Sequence, residues 1–384
     1  HPRRISPWSR PEAVAPPRRP GDRLPIVGGL GVRREAALYG AGFWVRPMLV
    51  ELLAGVGLAA LYWWEVGRHG LLPALTPPAD LAAHVVDMHC QFAAHALCMS
   101  LMLAAALIDF DEKTIPDAIT IPGTLAGLLL AALMPVALLP DAFVDPAGGL
   151  FCQPLWLTAP NVWPAQLNGF PKAGPLWLGL ACYLLWCLAL LPRPWYARHG
   201  YRRALRILAA HVVRARATYG ILAMALGGMA AVVAAWYWGG SHWAATLTAL
   251  VGMAAGGGLI WAVRIVGSAT LRREAMGFGD VTLLAMIGAF LGWQPCLIVF
   301  FLAPFAGLVL GVIHMMSGRG REIPYGPFLC LAAAATIVAW DPIWTSVAGV
   351  FSLGWLLPIV LLGCLVLMAA LLLAWRLIAA AFHH

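Results

Sequence analysis

ALIDFDEKTIPDAITIPG, residues 106–123, closes one apolar segment and opens the next, and between the two it sets Asp109, Asp111, Glu112 and Asp117. The runs on either side, 84–108 and 118–139, are each long enough to cross a hydrocarbon layer about 30 Å thick as a helix. Ionisable groups are expensive in hydrocarbon. The stretch therefore reads as a loop at the end of two membrane helices, and its acids either mark the water boundary or do chemistry there.

The same pattern repeats along the chain. Of 384 residues, 61% are hydrophobic and 11% charged, which places the protein in the integral membrane class. Apolar runs fall at about 47–67, 84–108, 118–139, 174–192, 218–238, 243–265, 281–293, 295–316, 326–341 and 353–379. Only helices that satisfy their own backbone or closed barrels span a bilayer. The expected fold is all-α: a polytopic membrane protein of about ten transmembrane helices in the lipid bilayer, with no large soluble domain.

The net charge of +8 comes almost wholly from arginines in short segments between the runs. That is the pattern of cytoplasmic loops rather than of a nucleic-acid-binding face, and no nucleic acid is expected as a partner. Residues 1–46 carry nine arginines, together with Pro11, Pro16, Pro17 and Pro20, and read as an irregular cytoplasmic segment. Seven arginines mark 193–216 as a further inward loop. Leu205, Leu208, Ala209 and Val212 also allow an amphipathic helix lying at the interface there. Because the chain begins at His1 rather than Met, a fragment lacking an upstream helix is expected.

Counted from a cytoplasmic start, the second helix returns to the cytoplasm at Asp109, and Asp280 opens a later helix from the same face. Two carboxylates brought together are the components of an aspartic protease. Like charges a few ångströms apart do not both ionise readily, so one is protonated and polarises the scissile carbonyl while the other takes a proton from water. The plainer alternative is that both are helix-end residues touching water or capping amides. Glycine around the second acid favours chemistry: in MGFGD, Gly277 and Gly279 remove side chains on either side of Phe278 and permit close approach of an extended substrate.

The pairing of LIDFDEKTIPDAITIPG with EAMGFGDVTLLAMIGAFLGW, followed by REIPYGPFLC, resembles the type IV prepilin peptidase family, the GxGD-type intramembrane aspartic proteases. The resemblance runs from about residue 20 to 335. It implies that Asp109 and Asp280 form the catalytic dyad, with Asp111 and Asp117 as flanking acids and Gly277 and Gly279 supporting the second aspartate. It also implies cleavage of a basic leader from prepilins or pseudopilins at the cytoplasmic face of a bacterial inner membrane. In many members N-methylation of the new terminus follows, with S-adenosylmethionine as donor, whereas proteolysis itself needs no cofactor. Arg46 and Glu51 stand where the family has an Arg-Tyr-Pro...Glu element, and so mark a methyltransferase or substrate region. On this reading residues 1–46 are a zinc-less remnant of the family's cytoplasmic domain. Residues 47–382 are the peptidase domain, with catalytic loops at 109–117 and 276–281 and an insertion around 141–265.

The chain departs from the family at several points. The four cysteines of its two CxxC pairs are absent, Arg23 replaces an asparagine, and Thr282 stands where a lysine commonly follows GxGD. No zinc or other metal is expected, since thiolate ligands at a suitable spacing are missing and His84 and His89, five apart, do not share a helix face. A reading from a different class is a proton- or cation-coupled transporter using intramembrane carboxylates. It calls for acids near the bilayer midplane and related halves, and neither is visible.

Overall fold

The structure is a computed structural model that describes residues 19–40, 42–74, 78–144, 149–191, 216–271, 276–316, 324–354 and 356–382. The chain divides into two compact units, His1–Arg68 and His69–His384.

In the first unit a 3₁₀ turn, Pro20–Arg23, leads to α1 (Val27–Val32), a second 3₁₀ turn at Arg33–Glu35, α2 (Ala36–Tyr39) and α3 (Val45–Tyr62), which ends in a π turn, Trp63–Gly67. Asp22 organises the start: it is buried, accepts the Arg19 amide at 2.7 Å and pairs with the Arg34 guanidinium. Residues 1–18, with most of the Pro/Arg-rich segment, lie outside the described residues, as does the Arg23 side chain.

Among its described residues the second unit is largely helical, with one hairpin. It comprises α4 (Pro78–Ala83), α5 (Val85–Glu112), α6 (Asp117–Leu133), β1 (Pro140–Val144), β2 (Leu150–Pro154), α7 (Ala173–Ala189) and α8 (Arg216–Trp238). After these come α9 (Gly240–Leu271), α10 (Phe278–Leu291), α11 (Trp293–Met316), α12 (Gly326–Val338), α13 (Trp340–Phe351) and α14 (Leu356–Phe382). The protein is a polytopic all-α membrane protein. Among the described residues five helices are long and apolar enough to cross a bilayer, and four shorter apolar helices, at 117–133, 173–189, 278–291 and 293–309, account for further runs.

Helix α10 is the centre of this unit. Every residue from Asp280 to Leu291 is buried, which suits a segment with no polar face. Its closest neighbour is α9. Gly252 and Gly256 on one helix and Gly288 and Gly292 on the other form two GxxxG faces. A methyl group at Gly252 would lie 2.7 Å from the Gly292 Cα, and one at Gly288 would lie 3.0 Å from the Met253 amide nitrogen. Small residues let two backbones meet where lipid provides no hydrophobic drive between helices. Helix α6 packs on α10 in the same way, with Gly127 against Ala289.

Two elements differ from expectation. The run at 326–341, read as one crossing, holds little more than α12; α13 follows it over Trp340–Phe351, and the two are bent by 96°. The break is at Ala339, and Pro342 explains it: its ring would collide with the carbonyl of Val338 in a continuous helix, yet fits the first turn of a new one. The Pro/Gly/Trp-rich loop at 141–173 contains the antiparallel β1–β2 hairpin, registered Pro140↔Pro154 to Val144↔Leu150. Trp340 donates to the Pro140 carbonyl at 2.7 Å and Trp344 to the Asp141 carboxylate at 2.9 Å, so α13 is folded back onto the hairpin. Fully buried Gln294 donates to the carbonyl of Trp156 at 2.8 Å, and Trp293 to that of Leu157, also at 2.8 Å. The hairpin and the segment that follows it are thereby tied to this end of the bundle. The opposite end, where α5 finishes and α6, α10 and α12 begin, carries the acids.

Candidate active site

Asp109 lies in the last turn of α5, beside Asp111 and Glu112. A helix C-terminus disfavours negative charge, by about 0.3–1 kcal/mol per group at exposed sites, so an acid here has no capping role to explain it. The helix closes at Lys113, in the left-handed conformation at φ 55°, whose amide donates to the Asp109 carbonyl at 2.8 Å. Residues 113–116 then cross to α6, where extended Pro116 precedes Asp117 in the first turn.

Asp280 occupies the first turn of α10, after extended Gly277. Its carboxylate accepts the Gly277 amide, one half of a capping box. The capping alternative thus accounts for one of its interactions. It does not account for the other: Asp280 sits in the field of the Asp109 carboxylate. Both acids are buried, at 4% and 7% exposure.

They face one open cavity of about 640 Å³, lined by Asp109, Lys113–Ile115, Asp117, Met276–Asp280, Pro324 and Tyr325. Two glycines make this convergence sterically feasible. A methyl group at Gly279 would lie 2.8 Å from the Ile115 Cβ, so only glycine lets α10 begin against the 113–116 loop. Gly326, which starts α12, lies against the Asp109 carboxylate and donates its amide to it. The Asp109 Oδ2 is buried and has no hydrogen-bond partner among the described residues, an arrangement that suits a group that is protonated or meets a water or substrate.

Of the residues singled out in the sequence, Asp109, Asp117, Gly277, Gly279 and Asp280 line the cavity. Asp117 is exposed; Asp111 is half-buried, already engaged and not part of the lining. Arg46 and Glu51 belong to α3 in the first unit, where the Glu51 carboxylate accepts the Ile26 amide at 2.6 Å. His84 pairs with Asp87 at 2.9 Å and His89 with the Val85 carbonyl at 2.8 Å. No group of three His, Cys, Asp or Glu side chains among the described residues could hold a metal.

Three residues of the site were not singled out. Tyr325 lines the cavity, and burial, with the charge of Asp280 second, pushes its phenol up to about 12. Gly326 lay inside a quoted motif without a role. Arg264, on α9, donates from Nε to the Met276 carbonyl at 2.9 Å and lies over the Phe278 ring at 5.7 Å. An arginine inside an apolar run was the signal for it.

The model of the type IV leader peptidase family matches residues 96–163 and 206–312, two segments that make up a little under half of the chain and hold Asp109 and Asp280 respectively. Residues 164–205 between them are unmatched. Three curated relatives are each called prepilin leader peptidase/N-methyltransferase. The protein from Burkholderia pseudomallei is 33% identical over 115 residues, 29% of this chain and 37% of its own. That from Stutzerimonas stutzeri is 35% identical over 101 residues, 26% and 35% of the two chains. That from Pseudomonas aeruginosa is 36% identical over 87 residues, 22% and 30%. The chain therefore matches about a third of the length of these relatives. No solved structure matches it.

Proposed function

Because this chain belongs to the type IV leader peptidase family, we propose that it is an intramembrane aspartic endopeptidase that removes the basic leader from type IV prepilins or pseudopilins. The observation that carries this reading is the pair of buried carboxylates, Asp109 and Asp280, on separate helices and facing one open cavity. Two such groups share a proton: the ionised one takes a proton from the attacking water and the protonated one polarises the scissile carbonyl. The titration belongs to the pair, so neither acid is assigned one role.

The reading places the chain in a bacterial inner membrane with the cavity toward the cytoplasm, where a leader that has not crossed would meet it. The gathering of both acids at one end of the bundle supports a surface reaction rather than a transport path through the midplane. Much of the Arg-rich evidence for that side, at 192–215, 272–275 and 317–323, lies outside the described residues. The insertion expected around 141–265 includes residues 164–205, which carry α7 and which neither family segment covers.

Methylation of the new terminus, with S-adenosylmethionine as donor, is a second step carried by the relatives' name. Arg46 and Glu51 are the residues assigned to it. The Glu51 carboxylate accepts the Ile26 amide.

The test is incubation of purified protein with a panel of prepilins and measurement of product masses. Loss of the leader is the expected result, a further gain of one methyl group would add the second step, and an intact panel would contradict the reading.

A further inference from the structure

Arg264 lies in the apolar span Gly240–Thr270. A cation in such a segment is disfavoured by about 2.5–3.5 kcal/mol at the helix centre and is retained where it has a specific partner. Two of its contacts reach the start of α10 and the residues just before it: Nε donates to the Met276 carbonyl at 2.9 Å, and the guanidinium lies 5.7 Å from the centre of the Phe278 ring.

These two contacts bracket Gly277, whose amide donates to the Asp280 carboxylate. Two glycines leave the Gly277–Gly279 helix start with little conformational preference of its own, so contacts from a neighbouring helix help to hold it. The guanidinium suits that task. A guanidinium can donate from its edge to a carbonyl while lying over an aromatic ring, a combination that a lysine ammonium does not reproduce.

We propose that Arg264 is a positioning residue: by clamping Met276 and Phe278 it fixes the Gly277 amide and thereby the carboxylate of Asp280 against the cavity. The proposal rests on the peptidase reading and adds to it a residue outside both acid-bearing loops. A purely structural arginine would stabilise the bundle without acting selectively on turnover. A positioning residue acts on kcat, because a displacement of about 1 Å at a reacting group costs up to about 100-fold.

The experiment is steady-state prepilin cleavage by the full chain in lipid nanodiscs, for wild type, Arg264→Met, Arg264→Lys, Phe278→Leu and the double variant Arg264→Met/Phe278→Leu. Arg264→Met should lose about 30- to 100-fold in kcat with KM within about threefold. Arg264→Lys should recover no more than about threefold of that loss, since an ammonium restores the charge and a donor but not the planar guanidinium. The losses of Arg264→Met and Phe278→Leu should fall short of multiplying in the double variant, because both act through one segment. Faster amide exchange over residues 276–281 than in wild type, with α6 unchanged, is the readout that needs no turnover. If Arg264→Met does not fold, Arg264→Lys and Phe278→Leu are compared by the same two measurements. Wild-type kcat in the Arg264 variants, fully multiplicative losses, or unchanged exchange would overturn the clamp while leaving the peptidase reading intact. A wild-type protein that cleaves no prepilin would overturn the reading on which both rest.

Discussion

The Cα of Gly326 sits against the carboxylate of Asp109, leaving no space for a methyl group, which would also press to within 2.9 Å of the Ile115 Cδ1. The start of α12 is thus built around an acid on α5, 217 positions earlier in the chain (326 − 109). Gly326→Ala should displace Asp109 and lower kcat at least about tenfold. Gly279→Ala should do comparable damage, with Ile115 only 2.8 Å from the added carbon. Gly277→Ala should remain within about threefold of wild type, because its extra carbon would meet the Asp280 Oδ2 at an ordinary 3.6 Å and its φ of −68° suits any residue. Purified variants assayed on one prepilin separate the three. A Gly277→Ala loss as large as that of Gly279→Ala would contradict this division of roles.

The pH profile provides a second check. Burial, assisted by Asp280, pushes the Tyr325 phenol up to about 12, above the ordinary tyrosine value near 10. The folded protein holds that proton across the range in which the unfolded chain would release it, so Tyr325 stays neutral below about pH 11. Any basic limb of the activity profile between about pH 7 and 10 should therefore have the same midpoint in Tyr325→Phe protein. A limb that disappears with the hydroxyl would show that Tyr325 ionises far lower than its surroundings imply.

How far the sequence could be read depended on which kind of signal each feature left. Length and hydropathy located the apolar runs, and α5, α6 and α10 begin within three residues of the runs at 84–108, 118–139 and 281–293, although α6 stops at Leu133 and α10 is shorter than a full crossing. The second helix of the bent pair, Trp340–Phe351, was missed because it falls largely between the expected runs at 326–341 and 353–379, although Pro342, just past the first of them, was there to be read as a helix start. The β1–β2 hairpin went unread because its Pro- and Gly-rich composition resembles loop, and its order comes from Trp340 and Trp344 roughly 200 residues away. At the site, the acids were legible through an uncommon residue in an apolar context. Gly326 and Tyr325 were not, because what marks them is proximity to Asp109 and Asp280, which only the fold creates.

The helix crossing at the centre is testable through stability. Gly252→Val should drive α9 away from Gly288 and Gly292 on α10, and overpacking of this kind typically costs about 1–3 kcal/mol. Gly258→Ala, on the same helix but facing open space, should be neutral or slightly stabilising. Thermal unfolding in one detergent compares them. Equal melting temperatures for the two variants would mean that the backbones do not meet as described.

The flanking acids should matter less than the pair. Asp117 is exposed in the first turn of α6, and Asp111 lies off the cavity lining. A cap or an orienting hydrogen bond is worth about 0.5–2 kcal/mol, so Asp111→Asn and Asp117→Asn should each retain measurable cleavage. Complete loss in Asp117→Asn protein that melts like wild type would move that residue from support into the chemistry.

The most direct measurement is prepilin cleavage by Asp109→Asn, Asp280→Asn and the double variant, each verified as folded like the wild type. Asparagine preserves shape and removes the acid–base couple. If the two carboxylates work as one unit, either single change should abolish cleavage almost completely, and the double variant should be no worse than the singles, because residues that act together fail together. Methylation of a pre-cleaved substrate, where the protein performs it, should survive all three. Robust cleavage by Asp280→Asn protein, or single losses that are partial and multiply in the double variant, would contradict a catalytic pair at Asp109 and Asp280.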